Sequence, residues 1–91
     1  MEYEFDSAKD ELNKANHGLS LSIAKDMVWD EALAWVDDRF EYDEVRMVAL
    51  VPMGDTLHYI AYVDPTAEKR RVISLRKAEK KEVLHYVKNY S

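Results

Sequence analysis

Three histidines, His17, His58 and His85, are the residues best suited by type to move a proton near neutral pH. They stand 41 and 27 residues apart, and none shows the short ligand spacing of a zinc site. His17 sits just before Gly18, at the end of a helical pattern. An imidazolium there favours the helix dipole by about 0.3–1 kcal/mol, so the position suits capping as well as proton transfer. Arg76 and Lys77 stand where a strand hands over to the last helix, a place where two cations can converge on one anion. Lysine there acts as a point charge and arginine as a bidentate fork on phosphate. Arg46 opens a strand two residues after Glu44, and its plain alternative role is an internal Glu–Arg pair. Trp29, Trp35 and the six tyrosines have faces that stack on unpaired bases. Core packing accounts for most rings at 11% aromatic content, and both tryptophans are expected inside. Tyr86 is expected to bury its ring on the last helix and reach a site with its hydroxyl.

Other chemistries lack their residues. With no cysteine there is no disulfide scaffold, thiolate metal site or cysteine nucleophile. Gly18 and Gly54 alone cannot build a glycine-rich phosphate loop, which removes a nucleotide-cofactor fold. No serine lies in a nucleophile-elbow context. The expectation is a site with neither metal nor cofactor.

The elements that must position these residues follow from pattern. Glu2 to Phe5 reads as a short strand, and Asp6 or Ser7 caps a helix on which Ala8, Leu12 and Ala15 recur toward the core. Lys9, Asp10, Asn13 and Lys14 fill its polar side, and Gly18 ends it. Ser20 caps a second helix carrying Ile23, Ala24, Met27 and Val28 inward. Strands are expected over 32–37, 46–51, 57–63 and 70–75. Pro52 to Asp55 makes a hairpin turn, and Asp64-Pro65-Thr66 opens the next. A final helix runs from about Lys77 to Asn89, with Val83, Tyr86, Val87 and Tyr90 as its apolar stripe. This order gives a single α+β domain over 1–91. It has a mainly antiparallel four- to five-stranded sheet, two N-terminal helices and one C-terminal helix.

Charge divides the chain. The 91 residues carry a formal charge of −5, yet 1–67 hold fifteen acids and five bases, whereas 68–91 hold eight bases and three acids. The basic end suggests anion binding or an acidic partner, and the eight carboxylates between Asp26 and Glu44 could receive a basic protein. Either pole is also explained as a solvated face. The apolar run Met47–Val51 is far below the roughly 20 residues that span a bilayer. Met1-Glu-Tyr-Glu lacks the basic start of a signal peptide, so the chain reads as cytoplasmic, with no membrane partner.

Four blocks, in order, carry a family resemblance. They are Tyr3-Glu-Phe5-Asp6 with Lys9, Asn13 and His17-Gly18; Trp29-Asp30; Glu44-x-Arg46 before a hydrophobic strand; and Ile73-Ser-Leu-Arg76-Lys-Ala78 with Glu82 and Tyr86 downstream. Together they resemble the BrnT-type toxins of type II toxin–antitoxin systems. The resemblance implies a RelE-like fold, ribonuclease activity and a cognate ribbon-helix-helix antitoxin of the BrnA type. Toxin and antitoxin would form a hetero-oligomer that reaches DNA only through the antitoxin.

In the implied chemistry an RNA 2′-hydroxyl attacks the neighbouring phosphate without a metal. His17 is then the acid–base candidate, with Arg46, Arg76 and Lys77 on the phosphate. Lys9, Arg71, Lys80 and Tyr86 are candidates for holding RNA. Two departures stand out: Asn16 occupies the usual lysine position before His-Gly, and Asp64-Pro65 follows the long strand where an arginine is common. The alternative is a catalytically weak binding module that partners a DNA-binding antitoxin. A small metabolic enzyme is a distant third.

Overall fold

The computed structural model describes residues 1–39 and 43–90, the side chain of Tyr90 excepted. The chain runs β1 (Glu2–Glu4), α1 (Ser7–His17), two 3-10 segments (Leu21–Asp26 and Trp29–Glu31), β2 (Leu33–Val36), β3 (Met47–Met53), β4 (Thr56–Thr66), β5 (Lys69–Lys77) and α2 (Lys80–Tyr90). The five strands form one sheet in the order β1-β5-β4-β3-β2. Only β1 and β5 pair in parallel; the other neighbours are antiparallel. The result is a small α+β domain, as the pattern of elements implied.

The second N-terminal helix is corrected. Leu21–Asp26 is a six-residue 3-10 segment capped by Ser20. The segment and its exit are tied to different elements: Leu21 N donates to Asp10 Oδ1 at 2.7 Å, and Val28 N, two residues past Asp26, to Pro52 O at 2.9 Å. A rise of about 2.0 Å per residue lets the tighter helix span that gap with few residues. The expected turn at Asp64-Pro65-Thr66 is also corrected. β4 continues through it to Thr66, with pairing irregularities between Ala61 and Tyr62 and between Val63 and Thr66. Bulged stretches of this kind are where a strand tolerates proline. The β3–β4 hairpin closes on Met53 opposite Thr56, with Gly54 at φ 64° supplying the left-handed turn residue.

The sheet has two unlike faces. Ala49, Val51, Ile60, Tyr62, Val72 and Leu75 form one, and Leu21, Ala24 and Met27 pack over it as the core. The opposite face carries Trp35, Val48, Ala61, Ser74 and, two residues on, Arg76. α2 lies on that side, held by Trp35 against His85 (ring centroids 5.8 Å) and by Arg76 on Glu82. The expected apolar stripe of α2 is left largely open, with Val83 39% and Val87 55% exposed. Trp35, expected in the core, is 37% exposed. Helix α1 also turns the unexpected way: Leu12 is 61% exposed, while Asp10 and Asn13 are buried.

Candidate functional site

Burial of Asn13 explains how α1 is placed. Beyond Glu4 the strand β1 ends, so the outer edge of β5 loses its partner. Asn13 takes over: its Nδ2 donates to Leu75 O at 2.8 Å and its Oδ1 accepts from Leu75 N at 3.0 Å. The carboxamide thus acts as one residue of a sixth strand. The same Nδ2 donates to Leu19 O, just past the helix end. Asp6 caps the start of α1 through Ala8 N and Lys9 N, and Gly18 at φ 70° ends it.

Lys9, Asn13 and His17 recur every four residues, so they line one side of α1. Between that side and β5 runs a groove of two adjoining hollows, about 320 and 250 Å³, sharing Lys9 and Ile73. The first is lined by Lys9 and Arg71 with Glu4 and Asp6 opposite in charge; the second by Lys9, Asn16, His17 and Ser74. Three of the residues singled out in sequence therefore line this groove: Arg71 the first hollow, His17 the second and Lys9 both. Arg71 also lies 3.7 Å from Glu44. One further step of the strand register sets Arg46 beside Val63, which faces Arg71. Arg46 and Arg71 thus share a sheet face, two strand spacings or about 10 Å apart at the backbone.

The other candidates are placed elsewhere. Arg76 and Lys77 both lie inside β5, so their side chains leave on opposite faces and do not converge. Arg76 forks onto Glu82 at 2.9 and 3.0 Å, approaches Glu79 at 3.8 Å and stacks on Tyr59 at 4.1 Å. Burial pushes the Glu82 carboxyl up, but Arg76 and the Glu79 N–H together hold it below the ordinary carboxylate range. Lys77 lies across from His58 on the core side. Lys80 opens α2, exposed, next to the Arg76–Glu82 pair. The Tyr86 hydroxyl donates to Glu31 O at 2.7 Å, which pins α2 to the second 3-10 segment.

Sequence reasoning missed the roles of Asp10, Asn13, His58 and Arg70. Arg70 forks onto Asp64 at 2.7 and 2.9 Å between the rings of Trp29 and Tyr62. Only Asn13 had a signal, its four-residue spacing from Lys9 and His17. The three histidines stay apart, and among the described residues no group of three His, Cys, Asp or Glu could hold a metal ion.

A sequence model of one protein family, described as the ribonuclease toxin BrnT of type II toxin–antitoxin systems, matches residues 5–82. The chain belongs to the BrnT family. A crystal structure of the Brucella abortus ribonuclease toxin BrnT, at 1.1 Å resolution, superposes with a TM-score of 0.66. It is 23% identical over 88% of this chain and 99% of that one, a likeness of fold. No curated protein matches by sequence. The BrnT match takes in the α1–β5 groove apart from Glu4 and ends at Glu82, inside the first turn of α2. A type II toxin works with an antitoxin, so BrnT membership implies a protein partner. No described helix is long and apolar enough to cross a membrane.

Proposed function

We propose that the chain is an RNA-cleaving toxin whose site is the α1–β5 groove, within a RelE-like architecture. The observation that carries this reading is a groove of two adjoining hollows joined by Lys9, with Arg71 lining one and His17 the other. RNA offers a phosphodiester with a neighbouring 2′-hydroxyl. His17 takes the proton from that hydroxyl as its oxygen attacks phosphorus, and the P–O5′ bond breaks with the leaving 5′-oxygen taking a proton from solvent water. Lys9 and Arg71 hold the charge that develops on the phosphoryl oxygens, with Arg46 extending the cationic strip across the sheet. Lys77, on the far face of β5, is left out of this site. Arg76, tied to Glu82, acts first by fixing α2. A ribbon-helix-helix antitoxin neutralises the toxin and carries the pair to DNA.

A second reading, a weakly catalytic binding module, is favoured by one feature. The arginines of β5 are engaged by acids: Arg70 by Asp64, Arg71 by Glu44 and Arg76 by Glu82. Growth separates the two. Expression of the chain alone is expected to slow bacterial growth, and Arg71→Ala to relieve it. Loss of one cation on the developing charge costs about 10²–10³ in rate if it resembles an oxyanion-hole donor. Full growth with soluble unmodified chain favours the binding module.

A further inference from the structure

β2 closes one end of the sheet, and its ladder has a readable parity. Asp37 N donates to Arg46 O at 2.8 Å. In an antiparallel pair this makes Leu33, Trp35 and Asp37 bond inward to β3 and turns the N–H and C=O of Ala34 and Val36 outward. Natural sheets blunt such edges with charges, proline, bulges or a covering segment. The stretch Leu33–Val36 has no charge and no proline, and its register with β3 is unbroken. Ala34, Trp35 and Val36 are exposed, Val36 to 54%, and no described strand pairs with the outer side. Through the Trp35–His85 contact this edge continues into the open Val83, Leu84 and Val87 of α2.

Charge selects the occupant. Asp30 and Glu31 precede β2 and Asp38 follows it, all three exposed, whereas Asp37 is buried and forked by Arg39. We propose that the outer edge of β2 takes up an extended segment of a partner protein, apolar at its centre and basic at both ends. Its main chain bonds Ala34 and Val36, and its basic ends meet the two acidic flanks. The identity of the partner as the antitoxin rests on the toxin–antitoxin reading above; the edge itself does not.

The test is amide hydrogen exchange on the full chain, with a short peptide of alternating valine and threonine carrying lysines at both ends, and a twin carrying glutamates. The lysine peptide is expected to slow exchange at Ala34 and Val36, with binding that weakens as salt rises. The glutamate twin should leave both amides unprotected. Ala34→Pro removes one outward N–H while leaving the ladder to β3 intact, and should weaken binding by about tenfold or more. Val36→Lys, a charge placed on the edge, should do the same without altering the backbone. Equal binding of the twins, or protection elsewhere but not at Ala34 and Val36, overturns the proposal. Protection that grows with the concentration of the chain alone overturns it in favour of a second copy. RNA cleavage by Ala34→Pro should match the parent, so failure of the ribonuclease reading would show in the unmodified chain and leave the exchange result standing.

Discussion

In α1 the side chains that fix position are polar. Asn13 is 5% exposed and ties Leu75 N, Leu75 O and Leu19 O to one carboxamide. Removing it by Asn13→Ala strands buried main-chain groups and should cost on the order of 3 kcal/mol. Asn13→Asp should be nearly as harmful, because a carboxylate can accept from Leu75 N but repels the two carbonyls. Urea midpoints of both variants, at unchanged slope, check this. A midpoint equal to the parent's would show that α1 is held by other contacts. Sequence periodicity put Ala8, Leu12 and Ala15 inward because it weighs only apolar residues. It could not see that an asparagine can complete a sheet edge and so be buried. The caps, by contrast, were legible: Asp6 and Gly18 do local jobs that need no distant partner.

At the scale of elements, α2 shows the same division. Its helical pattern and apolar stripe were legible, but periodicity says only that a face wants burial, not whether this chain supplies the cover. Val83, Leu84 and Val87 remain open, and α2 is attached by Arg76–Glu82, Trp35–His85 and Tyr86–Glu31. Glu82 Oε1 also accepts from Glu79 N at 2.7 Å, the reciprocal half of a capping box, so one carboxylate serves helix and strand together. Arg76→Ala and Glu82→Gln should each loosen α2. Their double variant should be little worse than either single one, with a coupling of about 0.5–3 kcal/mol in denaturation. Full additivity would contradict the pair and return Arg76 to a role on RNA. The handover at Arg76 and Lys77 was misplaced because strand and helix are both compatible with that stretch, and only pairing with His58 and Tyr59 keeps it extended.

For the whole molecule, charge sets how stability responds to pH. His58 is buried across from Lys77, and burial first, then the lysine, pulls its pKa below 6.5. The folded state therefore holds it neutral while the unfolded state gains a proton, so stability should fall as pH drops through 6.5. Asp10 is lowered chiefly by the Leu21 N–H, and Asp37 chiefly by Arg39. Their contribution is present above the ordinary carboxylate pKa and lost as pH falls through about 4. Thermal melts should thus decline in two stages, with His58→Gln removing the upper stage alone; an upper stage that persists in that variant rules His58 out. The −10 of residues 1–67 and the +5 of residues 68–91 were plain in sequence, but their meaning was not, since Arg70, Arg71 and Arg76 meet their acids only in the folded sheet. The most direct measurement is cleavage of a short RNA by purified chain and by His17→Gln, with a 2′-deoxy substrate and a chelator alongside. A groove ribonuclease gives a 2′,3′-cyclic phosphate product that persists in chelator, and none from the deoxy substrate. His17→Gln should lose roughly 10²–10⁴ in rate, with at most about 1 kcal/mol of stability lost. Cleavage at the parental rate by His17→Gln, or of the deoxy substrate, would contradict it.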